Sequence, residues 1–315
     1  MQILLRHLKG FGVERKGAVL AALLLFAGPA AAAIASPPVQ SERLTYSIMV
    51  GGLHLGDALI ALNQTESGYT TAMKVTARGV AKMVKNFSSD MKGEGRFAPT
   101  AANSDGPTLQ PAVYQRQWAT DEIAAAMTMT FDPATGLAKT EERFFHPATS
   151  APIAREDLPW NDRRERQKDV PADMRTNVLD PMAAFIAARG QLMALVMSQG
   201  VAPSRPKNFR VPIFDGRRRY NIVGRADAAR SVTINGTERQ VVPVVAKLEP
   251  VFGFGKKSED RMKESEGKFL FSNDARFIPV QLVISNELLS AVMSLDADCS
   301  LNSDPCDTFG QEKSE

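Results

Sequence analysis

Short runs of alternating apolar and polar residues divide most of this chain, and they constrain its fold more than any other feature. Successive side chains of a β-strand point to opposite faces, so such runs predict strands with one buried face. Turn-forming residues separate them at Gly51-Gly52, 132–136, Asn235-Gly236 and Asn273-Asp274. The predicted strands are 43–52, 53–63, 69–78, 87–97, 112–119, 122–132, 136–145, 208–214, 217–225, 231–235, 238–249, 263–271, 277–285 and 288–296.

This pattern predicts a mainly β fold of about a dozen strands joined by short turns. The expected architecture is a long curved antiparallel sheet, or an open or spiral β-barrel. Two short helices are expected to plug or cover its opening.

The first of these helices is predicted around the sequence GVAKMVKNF. Four apolar residues spaced i, i+3, i+4 and i+7 share one face of an amphipathic helix there, namely Val80, Met83, Val84 and Phe87. A helix this short is not stable alone. We therefore expect the apolar face to dock at the concave mouth of the sheet.

The second helix is predicted within 179–200. Asp180 is a preferred N-cap residue, and Pro181 suits the first helical position. One side carries Met182, Phe185, Ile186 and Arg189. A break or bend is expected near Gly190, because glycine weakens helices.

The N-terminal segment 1–35 has the features of a secretory signal peptide. Basic residues precede an apolar run that ends at Ala33-Ile34-Ala35, a small-x-small cleavage pattern. The apolar run is rich in alanine, glycine and proline, and we expect no stable membrane span after cleavage. The alternative is an N-terminal membrane anchor. The expected product begins near Ser36 and is soluble in the periplasm.

The remaining chain is expected to form one β-barrel-like domain over 36–298. Within it, the proline-rich and charged segment 146–176 is predicted to be a long exposed loop. A short flexible tail over 299–315 is expected to follow.

The charge balance excludes nucleic acid as a favoured partner. The full chain has 38 basic and 35 acidic residues. Segment 1–35 contains four of the basic residues and one of the acidic residues, so 34 of each remain. Nucleic-acid binding requires a concentrated basic surface.

The chain has two cysteines, Cys299 and Cys306. In an oxidising compartment, two cysteines so close in sequence predict a disulfide. A zinc site is not expected, because only His54 and His146 remain to complete one after cleavage. No metal or other cofactor is expected.

Three consecutive arginines, 217–219, follow Asp215-Gly216, a sequence typical of two-residue hairpins. With such a turn, Ile213 would pair with Arg218, and Arg217 and Arg219 would project from the opposite strand face. The arginines would then diverge instead of forming one anion site. Substitution of Arg217 or Arg219 is expected to be nearly neutral. Arg218 would lie at the rim of the apolar face, within reach of a lipid head group or a buried carboxylate.

Four short sequences occur in order over about residues 42–296, namely GGLHLGDALIAL, LDPMAAF, PIFDGRRRYNI and SNDARFIPVQLVI. With these sequences, the chain resembles the domain of unknown function 3108 family of exported Gram-negative envelope proteins. The resemblance implies a long curved antiparallel sheet similar to the half-barrels of periplasmic lipoprotein carriers. It implies no catalytic residues.

No pattern typical of an enzyme is apparent in the sequence. The motifs H-E-x-x-H and G-x-S-x-G and the phosphate-binding P-loop are all missing. Adjacent acids on strands, such as Glu141-Glu142, point to opposite faces. The sequence GFGKK at 253–257 lacks the strand-loop-helix context of a phosphate site, and a flexible connection is expected there.

These observations favour a monomeric binding or scaffolding protein that supports the cell envelope. Its concave apolar face would bind a lipid acyl chain or an extended peptide of an envelope partner. The hypothetical lid and ligand residues are Val80, Met83, Val84, Phe87, Met182, Phe185, Ile186 and Arg218. Two alternatives remain open: a hydrolase of cell-wall or lipid substrates, and a structural interaction protein with a filled core.

Overall fold

The computed structural model describes residues 40–79, 87–98, 108–158, 169–197, 207–285, 290–300 and 306. The described strands are β1 Gln40–Val50, β2 Leu53–Gln64, β3 Gly68–Ala77, β4 Phe87–Ala98, β5 Thr108–Thr120, β6 Ala124–Phe131, β7 Ala138–Phe145, β8 Pro152–Ile153, β9 Lys207–Phe214, β10 Arg219–Ala226, β11 Arg230–Ile234, β12 Thr237–Phe252, β13 Glu266–Ser272, β14 Pro279–Ser285 and β15 Ser290–Asp298. The described α-helices are α1 Pro181–Met197 and α2 Lys256–Glu264, and single 3₁₀ turns cover Arg155–Asp157 and Asp173–Arg175.

All fifteen of these strands belong to one antiparallel sheet. The strand order is β8-β7-β6-β5-β4-β3-β2-β1-β15-β14-β13-β12-β10-β9, with β11 paired to β12. The first and last parts of the chain therefore meet in the middle of the sheet, where β1 pairs with β15. The predicted mainly β fold is confirmed, with more strands than expected.

Strand pairing does not close the sheet, but a short segment bonds to both of its end regions. Thr176 forms an antiparallel bridge with Leu137, next to β7, and Leu179 forms a parallel bridge with Ile213 of β9. The Phe214 N–H also donates to the Leu179 carbonyl at 3.1 Å. We call residues 175–179 the seam segment, because it joins one end of the sheet to the other.

Helix α1 packs inside the curved sheet, against β9 on one side and β3, β4 and β5 on the other. Side chains around most of its circumference are buried, including Ala183, Phe185, Ala188 and Leu192. A helix that is apolar all round is typical of a protein core. The interior of the sheet is therefore filled, and α1 fills it.

Two helix predictions need correction. Phe87 is the first residue of β4 and is buried in the sheet core, so it does not belong to an amphipathic helix. Val80, Met83 and Val84 lie outside the described residues. Helix α1 is present where expected, but it continues through Gly190 to Met197 without a break.

The hairpin that follows Asp215 also differs from its prediction. The closing pair is Phe214 with Arg219, so the connection has four residues instead of two. The Asp215 carboxylate accepts hydrogen bonds from the Arg217 and Arg218 N–H groups at 2.9 and 2.7 Å, which stabilises the longer loop. The register is therefore shifted by two residues. An even shift preserves the predicted faces.

The Cys299–Cys306 disulfide is confirmed, with a Cα–Cα distance of 6.0 Å. It holds the chain after β15 against β1, where the Arg43 guanidinium donates to the Cys306 carbonyl at 3.3 Å. Replacing both cysteines by serine is expected to lower the free energy of unfolding by about 2–3 kcal/mol at most, because the closed loop is short. Urea denaturation measures this, with far-UV circular dichroism as the control for the β fold. Complete unfolding of the double variant would contradict a merely local role.

Candidate functional site

An open cavity of about 1050 Å³ lies at the rim of the sheet. Its wall combines the β2–β3 turn, the β4–β5 and β6–β7 regions, the seam segment and one side of α1. The apolar part of the lining includes Leu109, Pro111, Ala112, Phe131, Pro133, Ala134, Val178, Leu179 and Ala187. We call this space the rim cavity.

Tyr69 of β3 lines the rim cavity, and its side chain is buried. The described residues provide no hydrogen-bond partner for its hydroxyl. The hydroxyl can occupy this position because residue 95 is a glycine. A Cβ atom at Gly95 would lie 2.5 Å from the Tyr69 Oη. Burial, followed by the charges of Asp180 and Glu94, raises the Tyr69 pKa well above its usual value, so the group is a neutral hydroxyl.

Asp180 is the N-cap of α1, as the sequence predicts. One carboxylate oxygen accepts from the Met182 and Ala183 N–H groups at 2.7 and 3.0 Å. The other oxygen is buried without a partner among the described residues. Burial raises the Asp180 pKa to about 7, although the hydrogen bonds at the cap lower it in part.

An ion pair between Glu42 of β1 and Arg189 anchors α1 to the middle of the sheet. The two guanidinium–carboxylate hydrogen bonds are 2.5 and 2.6 Å long, and both side chains are buried. Arg189 also donates to the Arg276 carbonyl, and the Arg276 Nε lies 3.6 Å from Glu42. The sequence places Arg189 on the same side of the helix as Met182, Phe185 and Ile186. Its partner lies 147 residues away in sequence, so no local pattern could have identified the pair.

The three arginines of the β9–β10 hairpin diverge, as predicted, but their environments differ from the expectation. Arg217 forms an ion pair with Glu142 of β7, across the seam between the two ends of the sheet. The Arg218 guanidinium lies 5.2 Å from the centre of the Phe254 ring, and its side chain is buried. Arg219 donates to the Tyr220 carbonyl at 2.6 Å and to Asn221 at 2.9 Å.

This arrangement changes the expectation for Arg217. Arg217→Gln is expected to lower the free energy of unfolding by about 1–3 kcal/mol, because it removes a charged partner of the mostly buried Glu142. Arg219→Gln is the matched control on the same hairpin and is expected to stay within about 0.5 kcal/mol of the parent. Urea denaturation of both variants measures the difference. Equal effects would contradict the seam pairing.

The predicted lid residues of α1 do not line the rim cavity. Met182, Phe185 and Ile186 are buried, with exposed fractions of 2, 7 and 5%, and none of them is in the cavity wall. The helix contributes Ala187 and Gln191 instead. The prediction that these three residues face a ligand is therefore not supported by their positions, and they pack as core.

The other chemically interesting residues form structural contacts. His54 lies 2.8 Å from Asp57, which also pairs with Arg78 at 2.8 Å, beside the first hairpin. Segment 253–257, expected to be a flexible connection, instead leads into α2, which packs on β12. In the described ranges no group of three or more His, Cys, Asp or Glu side chains is arranged to hold a metal ion. Nor does any helix in those ranges have the length and apolarity needed to cross a bilayer.

Two solved structures are similar to the chain at low sequence identity. One is a β-barrel-like protein of the domain of unknown function DUF1849 from Brucella abortus, with 12% identity and a TM-score of 0.46 over 82% of this chain and 97% of that chain. The other is a Bacteroides fragilis protein described as exported and YmcC-like in fold, with 10% identity and a TM-score of 0.32 over 84% of this chain and 99% of that chain.

No curated protein matches the sequence at a significant level. A family described as "Protein of unknown function (DUF3108)" matches residues 45–296, from β1 to β15. This range includes α1, both residues of the Arg217–Glu142 pair and all of the sheet except the first residues of β1 and the last residues of β15. The chain therefore belongs to the DUF3108 family.

Proposed function

We propose that this protein is a non-catalytic binding protein of the cell envelope that holds the acyl chain of a lipid in the rim cavity. The signal-peptide features of segment 1–35 support export to the periplasm. The proposed binding site is the rim cavity and not the whole concave face of the sheet, because α1 occupies the space inside that face.

The rim cavity is the observation that carries this proposal. Its volume of about 1050 Å³ lies just above the usual range of roughly 300–1,000 Å³ for small-molecule sites. Such sites are mostly apolar and contain a few polar groups that orient the ligand. The apolar part of the lining and the buried Tyr69 hydroxyl fit this description, and polar and charged side chains such as Glu94, Arg96 and Asp132 form the rest of the wall. An acyl chain would cover the apolar wall, and its polar end would hydrogen-bond with Tyr69.

Binding of dansylundecanoic acid, followed by dansyl fluorescence, tests the proposal. Tyr69→Phe is expected to weaken binding by about three- to tenfold, which corresponds to the loss of one hydrogen bond. Its stability should not fall, because the residues that the structure describes give this hydroxyl no hydrogen bond to lose. Tyr46→Phe is the matched control: the Tyr46 hydroxyl donates to the Pro279 carbonyl at 2.9 Å, so this variant should lose stability and keep binding.

A second pair of variants tests the location of the site. Ala112→Trp places a large side chain at an exposed position in the cavity wall and should abolish binding. Ala229→Trp places the same side chain in the exposed β10–β11 connection and should leave binding unchanged. If the parent protein binds no probe, or if Ala112→Trp binds it normally, the proposal is wrong. A parent protein without binding would support the structural alternative with a filled core.

A further inference from the structure

A second cavity, of about 620 Å³, lies where the two ends of the sheet meet. One wall is formed by β7 and β8, including Phe144 and Ile153, and the opposite wall by the β9–β10 hairpin, including Phe214 and Gly216. Arg175 of the seam segment also lines the space. We call it the seam cavity. A molecule bound there would contact both ends of the sheet.

The charged groups of the seam cavity are mostly cationic. Arg217 and Glu142 pair with each other, so they contribute little net charge. Among the residues that the structure describes, the other charged lining residues are Arg143, Arg155 and Arg175, opposed by Asp169. Arg143 lies 4.0 Å from Glu141, and both of those side chains are largely exposed. Because cationic groups are in excess, the cavity favours an anion.

Two residues that line the seam cavity have buried polar atoms without a hydrogen-bond partner among the described residues. They are the Arg175 Nε and the Thr140 Oγ1. Arg175 is held in place because its Nη1 donates to the Ala138 carbonyl at 3.1 Å. Unpaired buried polar atoms are uncommon in folded proteins, and a missing ion or ligand is one explanation for them. Both of these atoms have a hydrogen to donate.

We propose that the seam cavity binds an anionic oxygen group, a carboxylate or a phosphate, and that the bound group ties the two ends of the sheet together. Guanidinium groups and hydroxyls are suitable donors to such oxygens. Two kinds of molecule carry such a group. One is a free ion, and the other is an acidic amphiphile whose head group binds as the anion while its chain packs on Phe144 and Ile153. This site is separate from the rim cavity and does not depend on the acyl-chain proposal.

Isothermal titration calorimetry with inorganic phosphate and with hexyl phosphate, at constant ionic strength, tests the proposal. We expect saturable binding of at least one of them with one site per chain, and a higher melting temperature in its presence. Thr140→Val, which keeps the side-chain shape, and Arg175→Gln are each expected to weaken binding by about tenfold. Arg230→Gln removes an exposed arginine of β11 and is the matched control with unchanged binding.

The remaining results separate the two sources of the anion. Equal affinity for both phosphates identifies a free ion, and tighter binding of hexyl phosphate identifies an amphiphile head group. Hexanol binding as tightly as hexyl phosphate would overturn the proposal, because the charge would then be irrelevant. Absence of binding of both phosphates, or full binding by Thr140→Val, would overturn it as well. Thr140→Val keeps the test decisive if Arg175→Gln does not fold.

Discussion

Replacing Arg189 by methionine is expected to destabilise the protein by about 3–5 kcal/mol, because this leaves the Glu42 carboxylate buried without its main partner. Arg276 at 3.6 Å offsets only part of that loss. The double variant Glu42→Leu, Arg189→Met removes both charges and should recover most of the stability, since apolar pairs often replace buried ion pairs at little cost.

Urea denaturation of the single and double variants measures this effect. Lys263→Met is the control, because the Lys263–Glu259 pair of α2 is exposed and its loss should not be measurable. A nearly neutral Arg189→Met would mean that α1 is not anchored through Glu42.

Asp180→Asn is expected to stabilise the protein at pH 8. The folded-state pKa of Asp180 is about 7, above the unfolded value of about 3.9. Between these values the unfolded chain releases the proton while the folded chain keeps it, so stability falls as the pH rises from about 4 to 7. The full effect is on the order of 4 kcal/mol. Asparagine retains the N-cap hydrogen bonds and carries no charge.

Chemical denaturation at pH 4.5 and pH 8 checks this expectation. The variant and the parent should be similarly stable at pH 4.5, and the variant should be more stable at pH 8. Asp132→Asn is the control with the opposite sign: hydrogen bonds from Thr135 and Ala134 lower the Asp132 pKa, so this variant should gain nothing at pH 8. If Asp180→Asn is the less stable protein at pH 8, the carboxylate is ionised and has a partner.

The strands could be predicted from sequence because alternation and turn residues are local signals. Gly51-Gly52 and Asn235-Gly236 connect their strands directly, as expected. The predicted register of the Asp215 hairpin differs from the structure by two residues, because the same sequence suits a two-residue and a four-residue loop. Helix α2 gives no clear sequence signal because it is short and highly charged, and Met262 is the buried one among its described side chains.

The candidate sites were harder to predict than the fold. Asp180 was identified as a helix cap, but its complete burial depends on residues distant in sequence. Tyr69 occupies an ordinary inward position in β3. Only the three-dimensional structure shows that its hydroxyl has no hydrogen-bond partner among the described residues. The seam cavity exists because the seam segment bonds to β9 and to the start of β7, which no local pattern indicates. Apolar periodicity identified a buried face of α1 but could not distinguish a lid from a core helix.

Hydrogen exchange of the α1 amides tests most directly whether this helix is a fixed core element within the sheet. We predict that the amides from Phe185 to Leu192 exchange only through global unfolding, with the same free energy of opening as the central strands β1 and β15. A lid would open locally. Exchange of these amides at a much lower free energy than that of β1 and β15, slowed when dansylundecanoic acid is added, would contradict the account and make α1 a movable cover.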